Sequence, residues 1–140
     1  MKLKTGAIAG VCIAALLVVI PAYAHHPFAA EYDSNKPVTM TGTVTKIEWE
    51  NPHAHIYMDV KDEKGRTEHW SMELGALKKL EDAGWKKDTV KIGNQLTING
   101  WKARDGSNRA SVDSVTLRDG KELAASSSYF VGPKEKATGN

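Results

Sequence analysis

Residues 38–53 read VTMTGTVTKIEWENPH, and the alternation in this stretch sets the architecture. Val38, Met40, Gly42 and Val44 take one parity and four threonines take the other. A period of two belongs to a half-buried β-strand, because successive side chains point to opposite faces. The apolar parity shifts between Val44 and Ile47 and resumes at Trp49, which predicts a bulge near Lys46 in a long, bent first strand. Asn51-Pro52 is a turn signal and ends it.

Beyond the turn, Ala54, Ile56, Met58 and Val60 form one face of a second strand, while His53, His55, Tyr57 and Asp59 form the other. Asp62-Glu63-Lys64-Gly65 makes a hairpin tip, and Trp70, Met72 and Leu74 supply the core face of a third strand. Antiparallel partners set outward positions opposite outward positions, so His69 falls across from Tyr57 or Asp59, with His55 as its diagonal neighbour. Leu77 and Leu80 at helical spacing, followed by Gly84 as a C-terminal cap, predict a short helix within 75–83. Lys78 and Lys79 come early in it and Glu81 and Asp82 late, against the helix dipole, so packing has to hold it. Leu96 and Ile98 mark a fourth strand, Asp105-Gly106 a turn, and Val112, Val115 and Leu117 a fifth strand, with a second turn at Asp119-Gly120.

This order predicts a mainly β chain: a small five-stranded OB-like Greek-key barrel with one short helix between strands 3 and 4. A non-OB small barrel or an open β-sandwich has the same order of elements, since neighbourhood in space is not written in the sequence.

Towards the N-terminus, Lys2 and Lys4 precede an apolar run from Ala7 to Ile20, and Pro21 leads into Ala22-Tyr23-Ala24. That is the pattern of a secretory signal peptide with an A-x-A cleavage site. The run is shorter than the roughly 20 apolar residues a membrane helix needs. The expected parts are a signal peptide (1–24), an N-terminal arm (25–36), the β domain (37–123) and a flexible tail (124–140) rich in Ala, Ser, Gly and Lys. The expected location is the periplasm, with no membrane attachment after cleavage.

The single cysteine, Cys12, falls inside the signal, so a mature chain would have neither disulfide nor thiolate metal site. Without Lys2 and Lys4 the 19 basic residues fall to the number of acidic ones, 17, and the formal charge goes from +2 to zero. Such a chain has no bulk field for nucleic acid or anionic lipid. Lys78, Lys79, Lys86, Lys87 and Lys91 cluster near the helix but are interleaved with Glu81, Asp82 and Asp88, the pattern of a solvated charged face. No nucleophile elbow, P-loop or dinucleotide fingerprint occurs, and no acid–base pair is marked by spacing, so no enzyme is expected.

Histidines carry the chemistry. All five, His25, His26, His53, His55 and His69, follow the expected cleavage point. Cleavage after Ala24 gives His25 the free α-amine, and amine and imidazole of one residue then chelate one metal. A further imidazole from His53 or His55 completes three nitrogens, an arrangement that resembles the histidine brace of exported copper proteins and favours Cu(II). His26 and His69 are reserve ligands or supports. Cleavage one residue earlier would instead put histidine third, where backbone amides form a square-planar Cu(II) or Ni(II) site. The competing expectation is that these histidines are ordinary surface residues and that the domain is a metal-free module. It would then bind a peptide, a small ligand or an envelope protein through the face around Tyr57. Met40, Met58 and Met72 share parity with valine, isoleucine and leucine and are assigned to the core. Trp49 and Trp70 are assigned there too; Trp85 and Trp101 are expected to be structural, with a stacking platform beside Tyr57 as the lesser alternative for one of them.

The segments HHPFAAEYD, GTVTKIEWENPH, DEKGRTEHW and GWKARDGSNRASVDSVTLRDG together resemble an uncharacterised family of small exported proteins of Gram-negative bacteria. The resemblance covers nearly all of residues 25–123 and implies a periplasmic β-barrel without implying an activity. The strand order is also similar to that of periplasmic OB-fold proteins, which bind partners or small ligands; that likeness is one of fold alone.

Overall fold

A computed structural model describes residues 28–126. In chain order the elements are α1 (Phe28–Glu31), β1 (Tyr32–Glu48), β2 (His55–Lys61), β3 (Thr67–Glu73), α2 (Leu77–Asp82), β4 (Gln95–Ala103), β5 (Arg109–Thr116) and β6 (Glu122–Ala124). The chain is mainly β, and its strands form one sheet in the order β3-β2-β1-β4-β5-β6. All these neighbours are antiparallel. An additional parallel pairing of Ser71, Met72 and Glu73 in β3 with Arg109, Ala110 and Ser111 in β5 joins the sheet into a ring.

Alternation produces this arrangement locally. Along β2 the side chains of Ile56, Met58 and Val60 are buried while His55, Tyr57 and Asp59 are half-exposed, and β3 repeats the pattern with Trp70 and Met72 inside. Their pairing runs through Met58↔Trp70 and Asp59↔His69, one of the two registers expected. The bulge lies where the parity changes: β1 pairs Val44 with Met58 and then skips Thr45 to pair Lys46 with Tyr57. Ile98, Met72, Leu74, Val112 and Val115 are fully buried at the centre of the ring, together with Met58 and Leu96. Each such side chain contributes roughly 1.5–3 kcal/mol by leaving water. Met40 and Trp49 are only partly buried against this core.

Two glycines set how closely strands approach. A Cβ on Gly100 would lie 2.0 Å from the Ser111 carbonyl oxygen, and one on Gly42 would lie 2.5 Å from that of Asp59. Real Cβ atoms do not come so near, so only glycine lets β4 shift register against β5 between Asn99 and Gly100.

The helix α2 stands between β3 and β4 and lies inside the expected range, with Gly84 (φ +95°) just past its end. Its N-terminus is served from another loop, since Leu77 N–H donates to Asn51 Oδ1 at 3.1 Å. The spacing of the apolar residues does not reveal that cap.

Three expectations need correction. The described residues form six strands and not five, because β6 adds to β5 where the tail was expected to begin. Leu123 and Ala125 are buried and Trp85 Nε1 donates to the Ala124 carbonyl at 2.8 Å. Two apolar residues in an Ala/Ser-rich stretch make too short an alternation to read as a strand. β1 also begins at Tyr32 and not at Pro37. Tyr32 pairs with Ala103 and Pro37 with Trp101, so four residues of β1 bulge opposite one of β4, and their lack of period concealed the strand. Finally, Leu117 lies just past β5, where its N–H donates to Lys121 O across the turn at 2.8 Å.

Candidate functional site

Short connections bring chemistry-bearing side chains to one flank of the ring. His53 follows the Asn51-Pro52 turn and lies two residues before β2 begins, while Glu73 ends β3 opposite His55 in the register. From there the Glu73 carboxylate reaches two partners. His53 Nδ1 lies 2.8 Å from its Oε1, and the Tyr32 hydroxyl donates to its Oε2 at 2.5 Å. Glu73 keeps only 15% of its side-chain exposure and Tyr32 is 3% exposed, so the line Tyr32–Glu73–His53 runs from core to surface. Burial, reinforced by the hydrogen bond to the Glu73 carboxylate, pushes the Tyr32 phenol well above its ordinary pKa and keeps it a proton donor.

Tyr32 is fixed by what precedes and surrounds it. The Phe28 ring packs on Tyr32 and on Trp101, with centroids 5.6 and 5.5 Å apart. Arg104 donates from its backbone N–H to Glu31 O at 2.9 Å and from Nε to Ala29 O at 2.8 Å. Arg109 sits 6.0 Å from the Tyr32 ring centre with Nη1 3.8 Å from Glu31 Oε2. The segment 28–32 is thereby clamped to the end of β4 and the start of β5.

The other residues singled out from sequence are spread along the same hairpin. His55 is half-exposed and stacks on Tyr57, with centroids 6.4 Å apart and a 29° tilt. Tyr57 donates its hydroxyl to Glu48 Oε2 at 3.0 Å, and Lys46 binds the other Glu48 oxygen. These two donors, Lys46 first, hold the Glu48 carboxyl below its usual range, while burial and Glu48 raise the Tyr57 phenol. His69 is 83% exposed and lies 2.6 Å from Asp59 Oδ1 through Nδ1. His53, His55 and His69 thus share a flank, yet each has its own neighbour. Among the described residues, no group of three or more His, Cys, Asp or Glu is placed to hold a metal. His25 and His26 lie outside the described residues.

An open groove of about 360 Å³ crosses the outer side of the first three strands, lined among others by Lys46, Tyr57, His69, Trp70 and Asn108. Trp85 is 2% exposed and belongs to the core, and Trp101 is engaged by Phe28, so neither forms a platform with Tyr57. Sequence reading missed Glu73 and Tyr32 as site residues. Glu73 was within reach, because the register that sets His69 opposite Asp59 also sets Glu73 opposite His55. Nothing local marks Tyr32, whose partner is 41 residues away.

No helix among the described residues is long and apolar enough to cross a membrane. No curated protein matches the chain. A model of a family of unknown function, DUF6152, matches residues 14–113, most of the chain, and the protein belongs to that family.

Proposed function

We propose that this protein is an exported, periplasmic binding protein that captures a copper-like divalent ion through the amine and imidazole of His25 and the imidazole of His53, and that it performs no catalysis. The observation that carries this reading is the Tyr32–Glu73–His53 line. Its inner end lies in the segment that follows His25 in sequence, and its outer end is a strand-flank imidazole. Phe28 stands three residues after His25, and three residues span at most about 10 Å. A carboxylate hydrogen-bonded to one nitrogen of an imidazole is the usual support of a metal-binding histidine. His55, stacked on Tyr57, is the lesser candidate; His26 and His69 are reserves. The strand ring β1-β2-β3-β5-β4 supports an OB-like barrel as the scaffold, with β6 as an addition.

The test is copper titration of protein starting at His25 against a form carrying one extra N-terminal residue. At least tenfold weaker binding by the extended form is expected, and equal affinities would remove the amine from the site.

The groove around Tyr57 favours a second reading, a metal-free module that binds a peptide or small ligand of the envelope there. Pull-down from a periplasmic extract with Tyr57→Ala as the control decides it; an unchanged partner list rejects that surface.

A further inference from the structure

Resting on the metal reading of His53, we infer that Glu73 and Tyr32 are positioning residues: together they hold His53 as the Nδ1–H tautomer and so make Nε2 its only lone-pair donor. A neutral imidazole carries one N–H, and the tautomer is chosen by whichever nitrogen faces the stronger acceptor. His53 Nδ1 is 2.8 Å from Glu73 Oε1, within hydrogen-bonding reach, so a carboxylate there is the acceptor that a proton on Nδ1 would meet. On that carboxylate the second oxygen accepts from the Tyr32 hydroxyl at 2.5 Å, which leaves the carboxyl group little freedom to swing away from His53.

The anchoring of Tyr32 makes this a rigid support. Its ring is 3% exposed, packed by Phe28 and flanked by Arg109, and it pairs with Ala103 in the β1–β4 ladder. Glu73 is fixed independently, through ladder pairs to His55 on one side and to Ser111 on the other. Two elements that meet only when the ring closes therefore orient one surface imidazole. His69 provides the contrast within the same hairpin. Its Nδ1 faces Asp59 at 2.6 Å, but the ring is 83% exposed and Asp59 36%, and no buried hydroxyl backs that pair among the described contacts.

The experiment is ¹⁵N–¹H correlation NMR of the histidine rings in the metal-free, ¹⁵N-labelled exported protein, at a pH where the rings are neutral, with His53→Gln to assign the His53 signals. The wild type is expected to show His53 with Nδ1 protonated and Nε2 unprotonated. Tyr32→Phe is expected to give a mixture of tautomers, Glu73→Leu to lose the Nδ1–H preference, and Glu73→Gln, which keeps a carbonyl acceptor, to restore it in part. A wild-type His53 protonated on Nε2, or a tautomer unchanged in Glu73→Leu, would overturn the inference. Copper titration of the same variants separates the two readings. A tenfold or greater loss of affinity in Glu73→Leu that Glu73→Gln partly restores, in the 10- to 100-fold range typical of such supports, ties the tautomer to the metal. A wild type that binds no copper ends the metal reading alone, and the ring spectra still decide the role of Glu73 and Tyr32.

Discussion

The Tyr32 hydroxyl donates to Glu73 Oε2 across 2.5 Å, so the first residue of β1 is bonded to the last residue of β3 although the two strands are not neighbours in the sheet. The contact joins the N-terminal end of β1 to the point where β3 meets β5.

Replacing Tyr32 with Phe keeps the ring packing and removes only this donor. A hydrogen bond to a charged group contributes about 1.5–3 kcal/mol, and Tyr32→Phe is expected to lower stability by that amount in urea titration with an unchanged slope. A loss below about 0.5 kcal/mol would mean that water replaces the hydroxyl at no cost.

Alkaline pH tests the same group through linkage. The folded protein holds the Tyr32 phenol above its ordinary value of about 10, whereas the unfolded chain titrates near 10. The stability contribution is therefore complete below about pH 10 and is lost as pH rises further, because only the unfolded form ionises there. Denaturant titrations from pH 8 to 11.5 are expected to show stability falling above pH 10, and falling less steeply in Tyr32→Phe.

Asn51 ties the turn after β1 to the start of α2. Asn51→Ala removes the only side-chain acceptor described for the Leu77 N–H and is expected to cost about 1 kcal/mol, the usual worth of an N-terminal cap. Hydrogen exchange would localise the effect to 77–82, with β2 and β3 unaffected.

Gly100→Ala is expected to be the most damaging single methyl addition. Its Cβ would meet the Ser111 carbonyl at 2.0 Å, and because that atom is backbone, the β4–β5 pairing itself would have to shift. The expected loss is at least about 2 kcal/mol by urea titration, against a smaller loss at Gly106→Asn, where the site is open and only the positive φ, which Asn adopts more readily than most residues, is strained.

Among the histidines, His53→Ala is expected to weaken copper binding by more than about tenfold, and His69→Ala by less than twofold, since His53 is the proposed ligand whereas His69 is exposed and faces Asp59. Isothermal titration of the two variants measures this, and equal losses would move the site to the exposed end of the hairpin.

The sequence by itself determined the strands whose alternation is long, the bulge after Val44 and the turn glycines, and it narrowed the β2–β3 register to two, of which the structure holds Asp59↔His69. Those features follow from period and from backbone conformation, which act over a few residues. It also determined that His53, His55 and Tyr57 share a flank. Tertiary structure alone decided the start of β1 at Tyr32, the sixth strand, the Asn51 cap on α2 and the meeting of Tyr32, Glu73 and His53. Each of these depends on burial or hydrogen bonding between residues far apart along the chain. Such contacts depend on which segments the fold brings together, and no local pattern encodes them.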